Sequence, residues 1–120
     1  MSQSYPEMVD DLNKAIAALR GGAPGPMKAF GGLAREALAP GQLDVKTKEL
    51  IAIAIAIATR CDGCVGFHVK AAIRAGASRE EVLETVSMAI YMGAGPSMIY
   101  AAETLRAFDE FAATASPPAA

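Results

Sequence analysis

Apolar residues recur at three- and four-residue steps along most of this chain, the spacing of one face of an α-helix. Met8, Leu12, Ile16 and Leu19 form the first set, with Pro6 in a first-turn position and Gly21-Gly22 as the stop. Residues 22–26 read as a short connector. Met27, Phe30, Leu33, Ala34 and Leu38 mark a second helix, in which Gly31-Gly32 allows a bend, because each glycine costs about 1 kcal/mol against alanine. Asp44 is placed as the N-cap of a third helix that carries the Ile/Ala run from Leu50 to Ala58. That alternation has the period of a strand, but both partners are apolar, so no wet face separates from a dry one. We read it as a helix buried on nearly all sides, with a central buried strand as the rival reading.

The fourth helix is expected to take in Cys61 to His68 and to continue through Val69, Ala72 and Ile73 to a stop at Gly76. Ser78 with Glu81 three residues on forms a capping box for the fifth, marked by Val82, Val86, Ala89 and Ile90. Residues 93–96, Gly-Ala-Gly-Pro, break the chain, and Met98, Ala101, Leu105, Phe108 and Ala112 form the last helix. The pattern predicts an all-α fold: a single domain of about six helices over residues 1–115, followed by a disordered tail, 116–120.

The 120 residues are 52% hydrophobic with no tryptophan, a composition suited to closely packed helices. A net charge of −2 and a pI near 5.3 argue against a nucleic-acid surface or a basic membrane patch. The start of the chain lacks a basic segment followed by an apolar run, so no secretory signal is expected. The longest uncharged apolar run, Leu50 to Thr59, is about half a bilayer span. A cytoplasmic protein without nucleic-acid or membrane partners is the resulting expectation.

Within that setting, two cysteines read as redox or metal chemistry rather than a structural staple. Cys61, Cys64 and the sole histidine, His68, fall within eight positions. In a helix, Cys64 and His68 lie about 60° and about 20° from Cys61 around the axis, so all three share one face. Thiols two residues apart can form a disulfide, and a helix start favours thiolate, which makes Cys61 the more acidic sulfur. His68, one turn beyond Cys64, can act as its base and favours Cys64 instead. If helices three and four pack antiparallel about Arg60, His68 lies within about 6 Å along the axis of Glu49, a carboxylate opening an otherwise apolar helix. Zinc held by Cys61, Cys64 and His68, with Glu49 or water as the fourth ligand, is the alternative. Tyr91, Tyr100, Met88, Met92 and Met98 read as core or subunit-interface residues. Lys46, Lys48 and Arg79-Glu80-Glu81 read as a solvated face.

Glu49, the Cys61-x-x-Cys64-x-x-x-His68 motif and the helix start after Gly76 together resemble the alkylhydroperoxidase D-like branch of the carboxymuconolactone decarboxylase family, over roughly Pro40 to Glu103. The resemblance implies an all-helical fold assembled as homotrimers or homohexamers, with thiol-dependent peroxidase or disulfide reductase activity. It assigns Cys64 as the peroxide-attacking thiolate, Cys61 as the resolving thiol, and Glu49 with His68 as the proton relay. The substrate is then a hydroperoxide, and the reductant a dithiol such as a lipoyl group or a thioredoxin-like protein. No metal or organic cofactor is needed. The family's true decarboxylases lack the cysteine pair, which argues against lactone decarboxylation. A non-catalytic oligomeric scaffold of the same fold is a further alternative.

Overall fold

The computed structural model describes residues 3–115 as five helices: α1 (Tyr5–Gly22), α2 (Pro24–Leu38), α3 (Val45–Ala58), α4 (Asp62–Arg74) and α5 (Arg79–Ala115), with no strand among the described residues. Their starts use the expected caps. Asp44 Oδ1 accepts the Thr47 N–H at 2.8 Å. Ser78 and Glu81 bond reciprocally, Glu81 N–H to Ser78 Oγ at 3.1 Å and Ser78 N–H to Glu81 Oε1 at 2.8 Å. Gly76, with φ of 95°, lets the chain turn away from α4.

Several expectations are corrected. The connector at 22–26 shrinks to Ala23, since Pro24 and Pro26 fall in the first turn of α2, where no proline N–H is needed. Gly31-Gly32 leaves α2 unbroken. The expected break at 93–96 is a kink inside α5, centred on Ala94 at φ 57° and ψ −142°, so its two arms stand for the last two predicted helices. The Ile/Ala run is helical, yet it is not buried on nearly all sides: Ile51 and Ile55 are exposed, while Glu49, Ile53, Ala56 and Ile57 face inward. Tyr91, Met88, Met92 and Met98 are exposed, which excludes the core half of the core-or-interface reading. The charges at Lys46 and Arg79-Glu80-Glu81 do lie on a solvated face, where Lys46 pairs with Glu81 at 2.9 Å and Arg79 with Asp109 at 3.0 Å. The tail 116–120 lies outside the described residues.

The centre is built by α3, α4 and α5, where Ile53, Ile57, Val65, Val69, Ala72 and Val82 are fully buried. Burying each valine or isoleucine is worth about 1.5–3 kcal/mol, which makes these three helices the stable frame of the molecule. Onto this frame α1 lays Tyr5, Val9 and Leu12 across α4, and Gly63 and Gly66 are what let it approach. A Cβ on Gly66 would meet Val9 Cγ2 at 2.9 Å and Tyr5 Cδ1 at 3.3 Å, and one on Gly63 would meet Leu12 Cδ1 at 2.8 Å. A polar latch holds the same contact. The Tyr5 N–H donates to Glu110 at 2.7 Å, its hydroxyl donates to Glu103 at 3.2 Å, and Arg106 stacks over its ring at 4.7 Å while pairing with both carboxylates. Burial, and secondarily the Glu103 charge, pushes the Tyr5 phenol well above its ordinary pKa, so it stays a donor. By contrast α2 buries no residue and touches only α1 and α3.

Candidate active site

The site is assembled by the hairpin of α3 and α4. Thr59 closes α3 by donating its N–H to Ile55 O at 2.8 Å, and Arg60 at φ 58° reverses the chain. The Cys61 N–H then returns to Ala56 O at 3.0 Å, which sets α4 antiparallel beside α3. Arg60 is held in place through Ile57 O, Ser97 Oγ at 3.2 Å and the Tyr100 ring at 5.6 Å. The Tyr100 hydroxyl donates to Arg60 O at 3.5 Å, and the Asp62 carboxylate beside it raises the phenol pKa. Arg60 and Tyr100 as a brace for this turn were not legible in spacing, because Tyr100 lies 40 residues away.

Cys61 is not part of the fourth helix, as the sequence suggested, but its N-cap. At φ −105° and ψ 96° its sulfur points back over the first turn and accepts the Cys64 N–H at 3.2 Å. Cys61 and Cys64 are joined by a disulfide, with Cα atoms 5.2 Å apart. Both are half-buried, and Cys64 packs against the core cluster.

Glu49 and His68 meet as the antiparallel geometry requires. His68 Nδ1 lies 2.7 Å from Glu49 Oε1. A carboxylate only accepts, so the Nδ1–H donates and the ring's second nitrogen, Nε2, is left to exchange a proton. Glu49 is 5% exposed, so water contributes little to its solvation and the imidazole is its partner. Cys64 and His68 are four residues apart in α4, which sets the disulfide and the Glu49–His68 pair one turn apart on one side of the helix. An open cleft of about 420 Å³ lies against Glu49 and His68, walled by Leu38, Phe67 and Asn13 with Lys70 and Arg74 at its side. Among the described residues no three His, Cys, Asp or Glu side chains gather as a metal-holding set, and the disulfide takes both sulfurs that zinc would need.

The fold is thus an all-helical domain that sets a Cys-x-x-Cys disulfide one turn from a histidine bonded to a buried glutamate. The model of the carboxymuconolactone decarboxylase family matches residues 24–107, and the chain belongs to that family. A carboxymuconolactone decarboxylase family protein of Legionella pneumophila superposes with a TM-score of 0.87 at 48% identity, over 89% of this chain and 96% of its own. A Thermotoga maritima member, whose description raises involvement in the antioxidative response, superposes with a TM-score of 0.81 at 25% identity, over 90% and 92%. An uncharacterised protein from Cupriavidus necator is 38% identical over 109 residues, 91% of this chain and 96% of the relative. No helix among the described residues is long and apolar enough to cross a membrane.

Proposed function

We propose that the protein is a thiol-dependent peroxidase that reduces hydroperoxides and is returned to its dithiol form by a small or protein-bound dithiol. The observation that carries this is the Cys61–Cys64 disulfide one turn from a histidine whose Nδ1 is held by a buried carboxylate. The antioxidative description of the Thermotoga maritima relative supports the same reading. The Cys64 thiolate attacks the outer peroxide oxygen and the O–O bond breaks. The sulfur becomes a sulfenic acid, and the departing alkoxide takes a proton from His68, oriented by Glu49. The Cys61 thiol condenses with the sulfenic acid, releasing water and forming the disulfide before further oxidation. A donor dithiol then reduces the pair by two exchange steps and is itself oxidised to a disulfide. The Cys64 N–H at the Cys61 sulfur suits Cys61 as the thiolate that leaves in the first exchange.

The same reading includes a homotrimer or homohexamer acting in the reducing cytoplasm. Ile51, Ile55, Met88, Tyr91 and Met92, exposed on α3 and α5, support burial between subunits. The test is peroxide consumption with dithiothreitol, dihydrolipoamide or reduced thioredoxin as donor. Wild type turns over with at least one of them, and Cys61→Ser and Cys64→Ser each abolish turnover. Full activity in Cys64→Ser overturns the mechanism.

A further inference from the structure

Two cations beside Glu49 and His68 make no ion pair among the described residues. Lys70 and Arg74 lie one turn apart on α4 and both line the cleft. Among the described residues neither side chain has a hydrogen-bond or ion-pair partner. Lys46, Arg79 and Arg106 each pair with a carboxylate; among the described residues Lys14, Arg20, Lys28 and Arg35 do not, but only Lys70 and Arg74 line the cleft with His68. The one acid in the cleft is Glu49, which His68 already holds at 2.7 Å. Leu38, Phe67 and Ala71 make the remaining wall largely apolar, and a volume of about 420 Å³ is that of a small-molecule site. Unpaired cations over an apolar wall suit an anion with a short hydrocarbon body.

We propose that this cleft is the substrate site and that the hydroperoxide it takes is a carboxylic acid, its carboxylate received by Lys70 and Arg74. The proposal rests on the peroxidase reading. Along α4 the order is sulfur, proton donor, anchor: Cys64, His68, then Lys70 and Arg74. Lys70 lies about 9 Å along the axis and about 120° around it from Cys64, Arg74 about 15 Å along and about 80° around, and both long side chains lean back toward the helix start and the cleft. A carboxylate about five carbons from the peroxide-bearing carbon spans the interval from Cys64 to Lys70. Such a substrate presents its O–O bond to Cys64 while His68 protonates the alkoxide that leaves.

The test compares 6-hydroperoxy-6-methylheptanoic acid with its methyl ester. Wild type is expected to prefer the acid by about tenfold in kcat/KM, and Lys70→Met/Arg74→Met to bring the ratio close to 1. Lys70→Arg, which keeps the charge, retains the preference. A second readout needs no turnover, because His68 is the only histidine. In the disulfide form the product alcohol acid, 6-hydroxy-6-methylheptanoate, is expected to shift the His68 imidazole NMR signals, its methyl ester to leave them, and the double variant to lose the response. Equal use of acid and ester by wild type overturns the carboxylate site while leaving the peroxidase reading intact. Specific binding of the acid without any peroxide turnover keeps the carboxylate site and overturns the peroxidase reading. A double variant that still prefers the acid overturns the assignment to Lys70 and Arg74.

Discussion

The two faces of α4 use opposite means. On one, Gly63 and Gly66 work by lacking side chains, so that Leu12, Val9 and Tyr5 of α1 can settle within van der Waals reach. On the other, Cys61, Cys64 and His68 work through the few reactive side chains the chain owns, set against Glu49 of α3. One short helix therefore separates packing from chemistry by rotation about its axis. Substitutions on the glycine face should move stability, and those on the thiol face should move turnover.

Glu49→Gln puts the greatest strain on that separation. It keeps the shape but removes the charge that orients the imidazole, and it lowers peroxide turnover by about 100-fold, the scale of one acid–base group. Steady-state kinetics with saturating dithiol measure it, and a loss of folding comparable to the loss of turnover would break the comparison. Gly66→Val acts from the other side. Its branched side chain is forced against Val9 and Tyr5, which costs about 1–3 kcal/mol in urea unfolding. The dithiol and disulfide forms should lose stability alike, because the strain lies away from the sulfurs.

The smallest expected effect sharpens the boundary through pH. The Arg106 guanidinium, by hydrogen bonding, holds the Glu103 carboxyl below its usual range. A carboxylate with a depressed folded pKa contributes stability above its unfolded pKa and loses it as pH falls through the folded value. Glu103→Gln therefore costs a few tenths to about 1 kcal/mol at pH 7, as expected for a half-exposed pair, and the difference from wild type shrinks below about pH 4. A difference that grows on acidification would contradict the latch.

The thiol face was legible in the sequence because its parts obey a local rule. Cys61, Cys64 and His68 recur at helical spacing, and Glu49 follows once the α3–α4 hairpin is folded on paper. The caps at Asp44 and Ser78 were readable for the same reason. The glycine face was not, since the need for Gly66 lies in Tyr5 and Val9, some sixty residues earlier. Nor could spacing find the latch that joins Tyr5 to Glu103 and Glu110 across about a hundred residues. The Ile/Ala run misled in a different way: hydropathy reports what a residue could bury, not whether one chain supplies the cover for Ile51 and Ile55.

A last consequence concerns time rather than position. With no buried residue, and Phe30 and Leu33 facing solvent, α2 has less to lose by local opening than the α3–α4–α5 frame. Its far end is moored by the Lys48 ammonium, which donates to Ala37 O at 3.0 Å and Ala39 O at 2.5 Å. Leu38, between those carbonyls, is also a wall of the cleft beside His68. Opening of α2 from that mooring removes the Leu38 wall while the frame stays folded, widening the cleft over a histidine side chain that is already 34% exposed.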